Sequence, residues 1–160
     1  MSGFAHDYEA QVVWEGNSGT GTTSYTGYER AYRTVIKGKP DLEGSSDPTF
    51  RGDPAKHNPE DLFVTALSAC HMLFYLALCA KNGINVVAYE DRVSGTMEVE
   101  DHGGGAFTEV VLNPLVTVGL GSDIALAEKL HQKAHELCFI ANSCSVPIRH
   151  KPVIRIDSDL

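Results

Sequence analysis

One segment constrains the fold more than any other in this 160-residue chain. It is NPEDLFVTALSACHMLFYLALCAKNG, Asn58 to Gly83. Asn58 is a favoured helix N-cap, and Pro59 suits the first helical position because its missing N–H has no partner there anyway. Glu60 and Asp61 place negative charge against the positive end of the helix dipole. Asn82-Gly83 supplies a C-terminal stop. A long helix is therefore predicted between them. Its apolar run is interrupted by Thr65, Ser68 and His71, which favours a buried helix over a membrane span. Phe63, Ala66, Leu67, Cys70, Leu73, Phe74 and Ala77 follow i, i+3, i+4 spacing, so Cys70 is expected in the core-facing stripe.

The rest of the chain must cover that helix. Tyr8–Trp14 alternates polar and apolar residues and reads as a strand, as does Tyr25–Ile36, with a break near Gly27. Gly38–His57, rich in Pro, Gly and Asp, reads as one long irregular connection. Ile84–Glu100 and Ala106–Val118 are strand-like around a glycine-rich turn at Asp101–Gly105. Pro114 suggests an edge or a bulge. Ser122 or Asp123 caps a second helix ending near Cys138, with Ala127, Leu130, Ala134 and Cys138 on its apolar face. Val146–Ile156, with Pro147 and Pro152, is an expected edge strand. The order β-β-loop-α-β-β-α-β lacks strict βαβ alternation. It predicts an α+β fold of mostly antiparallel sheets with two core helices, as a single domain over residues 1–160.

Charge narrows the partners. The net charge is −8 and no basic run exceeds two residues. That disfavours nucleic acid and anionic membranes, which are bound through Lys/Arg clusters. The first residues show no signal-peptide pattern, so the expected location is cytoplasmic. In a reducing compartment four cysteines suggest redox, catalytic or metal chemistry rather than a disulfide framework. Buried, inert cysteine is the alternative for each.

Cys70 and Cys138 fall on the apolar faces of the two predicted helices, so packing of those faces would bring the thiols together. Cys70 and Cys79 lie nine residues apart on one helix, about 13 Å along its axis, too far for a disulfide. Cys138 and Cys144 remain a possible pair if the helix ends between them. No metal is expected: C-x2-C is missing, and His131 and His135, though i, i+4, lie in no HExxH pattern. His71 points about 100° away from Cys70 and is expected to pack or join a polar network rather than act as its base. A thiolate needs a nearby cation. Arg51, in "DPTFRGDPAKHNPEDL", is the candidate, with Glu60 able to hold its guanidinium through two hydrogen bonds. A solvated Arg51 and a Glu60 that serves only the helix dipole is the other reading.

"NPEDLFVTALSACH", with Glu60 ten residues before Cys70, and "KAHELCFIANS", with Cys138 sixty-eight residues after it, together resemble the OsmC/Ohr family (osmotically inducible protein C and organic hydroperoxide resistance proteins). "TFRGDP" resembles the OsmC-type placement of an arginine, and "VVWEG" also fits. The resemblance covers nearly the whole chain. It implies an intertwined α+β homodimer with thiol-dependent peroxidase activity. Cys70 would be the peroxidatic thiolate, Cys138 the resolving thiol, and Arg51 and Glu60 the activating pair. Organic hydroperoxides, and hydrogen peroxide as a further candidate, would be substrates. The reductant would be a dithiol such as a lipoyl group, with no cofactor. Cys79, Cys144 and His71 depart from the family's simplest pattern, and Cys144 competes with Cys138 as resolving thiol. Two other readings are a non-catalytic binding or structural protein of the same fold, and a thiol hydrolase. Helix geometry adds one condition: ten residues separate Glu60 from Cys70 by about 15 Å. If both serve one thiol, a partner chain must bring its own Glu60 to this Cys70, with its Arg51 a further candidate to come with it.

Overall fold

The computed structural model describes residues 3–157. The chain divides into two compact units, one up to Leu62 and one from Phe63.

In the first unit, β1 (Gln11–Trp14), β2 (Tyr32–Val35) and β3 (Leu42–Gly44) form an antiparallel sheet in that order. Both early strands are shorter than their sequence patterns suggest. The reason in β2 is Arg30: its guanidinium donates to the carbonyls of Tyr28 and Tyr25 and lies over both rings, at 3.9 and 4.6 Å. That folds residues 25–30 into a hook instead of a strand. The Gly38–His57 connection is also not wholly irregular. It contains β3 and a 3₁₀ turn at Pro48–Phe50, capped by the Asp47 carboxylate, which accepts from the Thr49 N–H. Gly44 is obligatory in β3, because a Cβ there would stand 2.2 Å from the Tyr32 ring.

Helix α1 (Pro59–Lys81) forms as its caps predict. Asn58 Oδ1 accepts from the Asp61 N–H, and Asp61 Oδ2 accepts from the Asn58 N–H in return, a reciprocal capping box. Gly83, at φ +73°, ends it in the left-handed conformation. By length and apolar content α1 could cross a membrane. In the fold its Leu67, His71, Tyr75 and Cys79 are instead buried in protein.

In the second unit the two long strand-like runs each break once, at the same level. β4 (Val86–Asp91) pairs with β7 (Pro114–Val118), and β5 (Ser94–Val99) with β6 (Gly105–Leu112), both antiparallel. The break is held by side chains: Asp91 accepts from the Asn113 N–H, and the Asn113 amide donates to the Arg92 carbonyl. The Asp101–Gly105 turn joins β5 to β6 as expected. The terminal run splits likewise, at Lys151-Pro152, into β8 (Ile148–His150) and β9 (Val153–Ile156). These add in parallel to β6 and β7, each on the edge of its sheet. Pro114, expected at an edge or bulge, instead begins the central strand of the β4-β7-β9 sheet. As the first strand residue it does not interrupt the ladder.

Asp123 caps α2 (Ile124–Leu137), accepting from the Leu126 N–H. Cys138 ends it and starts the short α3 (Phe139–Asn142). Two apolar clusters carry the unit. Tyr75 and Cys79 of α1 meet Val116, Val118, Ala127, Leu130 and Ala134 in one, and Leu67 packs with Val110 and Leu112 in the other.

Candidate active site

The buried face of α1 differs from the one read in the sequence. It runs Leu67–His71–Tyr75–Cys79, four residues at a time, while Leu73 is 62% exposed and Cys70 only half-buried. The apolar count along the helix favoured one stripe. Packing chose the neighbouring one, because His71 and Tyr75 find polar and aromatic partners inside. That rotation leaves the Cys70 sulfur at the edge of the core.

Cys138, buried with the rest of the α2 face, is the neighbour of Cys70. Both thiols are free, as are Cys79 and Cys144. Burial pushes the Cys138 thiol well above its ordinary range. The Ala141 N–H, donating to Cys138 Sγ at 3.5 Å, opposes that rise, and the adjoining Cys70 thiol adds to it. Cys138 is therefore held in its thiol form beside Cys70. Cys144 points elsewhere, toward the Ala141 carbonyl at 3.6 Å, and no Cys138–Cys144 bond is formed. Aromatic cover comes from Phe74 of α1 against Phe139 of α3, edge to face at 4.9 Å.

The polar residue beside Cys70 turns inward. His71 Nε2 lies 3.0 Å from His131 Nδ1, both imidazoles are essentially inaccessible, and His131 stacks on Tyr75 at 3.8 Å. His150 and His135 complete the group, with ring centroids 5.7 Å apart for His71–His150 and 5.8 Å for His135–His150. Burial, then the neighbouring imidazoles His150 and His135, lower His71 to about 4; burial, then His71 and His150, lower His131 to about 3. Both are neutral at pH 7. His71 is thus the polar-network residue expected of it. Its partners His131 and His150 were not legible, since they come from α2 and β8. The recurring four-residue step 71-75-79 was the available signal. No group of three or more His, Cys, Asp or Glu with metal-binding spacing occurs among the described residues.

Arg51 and Glu60 belong to the first unit. Arg51 is exposed and sits at φ +67°, the one described non-glycine residue in the left-handed region. It makes no ion pair with Glu60 among the described residues. Glu60 has a buried Oε2 with no hydrogen-bond partner. Its charge, after burial, raises the Tyr32 hydroxyl. A groove of about 420 Å³ beside it is lined by Val12, Trp14, Tyr28, Arg30, Tyr32 and Pro59. Helix α1 is unbroken between Glu60 and Cys70, so the ten-residue separation of about 15 Å stands.

Residues 52–151 match the family described as OsmC-like protein. Among solved structures, an OsmC-like protein of unknown function from Vibrio cholerae is similar with TM-score 0.83 and 32% identity, over 93% of this chain and 100% of that one. An organic hydroperoxide resistance protein from Elizabethkingia anophelis gives 0.66 at 20% identity, over 96% and 100%. Another from Legionella pneumophila gives 0.67 at 18%, over 95% and 98%. At those identities the last two share the fold. No curated protein matches the chain.

Proposed function

The chain belongs to the OsmC-like family, and from that premise we propose that it is a cytoplasmic thiol peroxidase reducing organic hydroperoxides through Cys70 and Cys138. The observation that carries the reading is the meeting of these two free thiols, sixty-eight residues apart in sequence, at the rim of an apolar core.

The chemistry follows from their environments. The Cys70 thiolate attacks one peroxide oxygen and forms an S–O bond. The O–O bond breaks and the second oxygen leaves as alkoxide, which takes a proton to become the alcohol. Cys70 is now a sulfenic acid. Cys138 sulfur attacks it, the hydroxyl leaves with the Cys138 proton as water, and a Cys70–Cys138 disulfide forms. An external dithiol returns both sulfurs to thiols and becomes a disulfide itself. Phe74 and Phe139 offer apolar surface to an alkyl tail, which favours organic over hydrogen peroxide.

A guanidinium beside Cys70 would stabilise both thiolate and leaving alkoxide. Arg51 and Glu60 fill that role in a homodimer whose partner contributes them. Three features support this: the strained, exposed, unpaired Arg51, the unsatisfied Glu60 Oε2, and the 15 Å of helix between Glu60 and Cys70.

The test is turnover of cumene hydroperoxide with dihydrolipoamide. Cys70→Ser and Cys138→Ser should each lose turnover by at least about a hundredfold, with Cys138→Ser retaining one trapped sulfenate. Full turnover in Cys70→Ser would end the proposal. Full turnover in Cys138→Ser with loss in Cys144→Ser would transfer the resolving role.

A further inference from the structure

We infer that the buried His71–His131 hydrogen bond is a positioning element for disulfide closure, setting the register of α1 against α2 so that Cys138 stands opposite Cys70. This rests on the thiol cycle above and assigns it two further residues.

The two helices carrying the thiols otherwise meet through Tyr75, Cys79, Ala127, Leu130 and Ala134. Apolar contact of that kind is non-directional and resists sliding weakly. Packed helices shift by roughly 1–2 Å in conformational changes. Disulfide closure tolerates little of that, since it needs Cα atoms within about 7 Å and a narrow range of sulfur geometry.

The imidazole pair supplies the missing direction. The ring planes lie 8° apart with centroids 5.3 Å apart, and the facing nitrogens are 3.0 Å apart. The centroid distance exceeds the N···N distance by about the two ring radii, the most that geometry allows, so the bond runs in the plane of both rings. Tyr75 stacks on the face of His131, with planes 14° apart, and restrains its rotation. His71 follows Cys70 directly on α1. His131 precedes Cys138 by seven residues, two turns of α2, and so shares its face. One buried bond therefore ties α1 beside Cys70 to α2 at a point two turns, about 10 Å, before Cys138 on the same face, and so fixes how far α2 can slide.

The bond needs one proton between two neutral rings. The groups facing it are Tyr75 on α1, His135 on α2 and His150 on β8; burial keeps the Tyr75 phenol protonated and lowers His150, so neither of these two adds charge near pH 7. Peroxide attack takes place at Cys70 alone and needs no register with α2, so it should be spared.

The measurement is the equilibrium of the Cys70–Cys138 disulfide in a glutathione buffer, with the bond identified by peptide mapping. One oxidised glutathione is consumed and two reduced glutathiones are released per disulfide formed. His71→Leu, which keeps volume and loses the nitrogen, should lower that equilibrium constant about tenfold, the equivalent of one buried hydrogen bond. His71→Gln, with an amide nitrogen near the Nε2 position, should stay within about threefold of the parent. His131→Phe keeps the stack on Tyr75 and should match His71→Leu, which guards against one variant failing to fold. The rate of sulfenate formation should be unchanged throughout. An unaltered equilibrium in His71→Leu and His131→Phe overturns the inference, as does an equal loss in His71→Gln. The exchange uses no peroxide. A parent protein that closes this disulfide but reduces no peroxide therefore refutes the enzymatic reading and leaves the positioning role standing.

Discussion

The two units are built on opposite principles. Every fully buried apolar side chain among the described residues, from Leu67 to Cys138, lies in the second. The first buries only Gly16, Gly44, Ser45 and Asn58 among its described residues, and leaves Val12 67% and Trp14 44% exposed. Its strands are tied instead by side-chain interactions. Arg33 bridges Glu15 and Asp41 at 2.8 and 3.1 Å, Trp14 Nε1 donates to the Glu29 carbonyl, and Arg30 stacks on two tyrosines. Exposed ion pairs of this kind contribute little, roughly 0–1 kcal/mol each. A three-stranded sheet usually needs one face covered to be stable. The difference teaches where stability resides and where it is borrowed. The second unit holds its own core, whereas the first presents an apolar sheet face and an unsatisfied carboxylate oxygen. Both features suit the proposed dimer, in which a second copy covers that face.

The comparison can be tested first by truncation. Tyr75→Ala removes a fully buried ring stacked on His131 and should cost about 3–5 kcal/mol in denaturant unfolding. Val12→Ala in the first unit should cost under about 0.5 kcal/mol at dilution where the chain is monomeric. Its effect should grow with protein concentration if a second copy covers the sheet. A large, concentration-independent loss at Val12 would break the contrast.

Acid should act on the second unit. His71 and His131 are less basic folded, at about 4 and 3, than the unfolded value near 6.5. The unfolded chain therefore binds more protons below that value, and stability rises with pH. Their contribution is fully present above pH 6.5 and is lost as pH falls from 6.5 toward 4 for His71 and toward 3 for His131. His71 alone accounts for roughly 3 kcal/mol of this dependence. Melting curves at pH 7 and 4.5 should show the drop, and His71→Gln should flatten it. A melting temperature flat across that range would contradict the buried neutral dyad.

The smallest effect belongs to Arg51. At φ +67° a non-glycine residue is strained, so Arg51→Gly should stabilise the chain by up to about 1 kcal/mol. Under the proposed function it should also abolish peroxide turnover. A variant that is more stable and fully active would remove Arg51 from the site.

Local signals were legible where they act over one element. The Asn58 cap, the Asn82-Gly83 stop, the Asp123 cap and the 101–105 turn are short-range chemistry, and each formed where its residues stand. The spacing of Glu60 against Cys70 was also a sequence fact, because helical rise is constant. The common break at Asp91–Asn113 was not legible. It depends on a side chain from one strand bonding the backbone of another twenty-two residues away. The hook at Arg30 likewise needed three dimensions to show a cation capping two aromatic rings and their carbonyls.

The order of elements, the two thiol-bearing helices and the α+β class were determined by residues read in one dimension, since caps, turns and periodicity depend on neighbours along the chain. Which stripe of α1 faces inward was decided only in the tertiary structure. Apolar residues lie on more than one side of that helix, and the side that wins is the one whose polar members, His71 and Tyr75, meet partners from α2 and β8. That choice buries an imidazole, turns Cys70 to the rim and brings Cys138 to it.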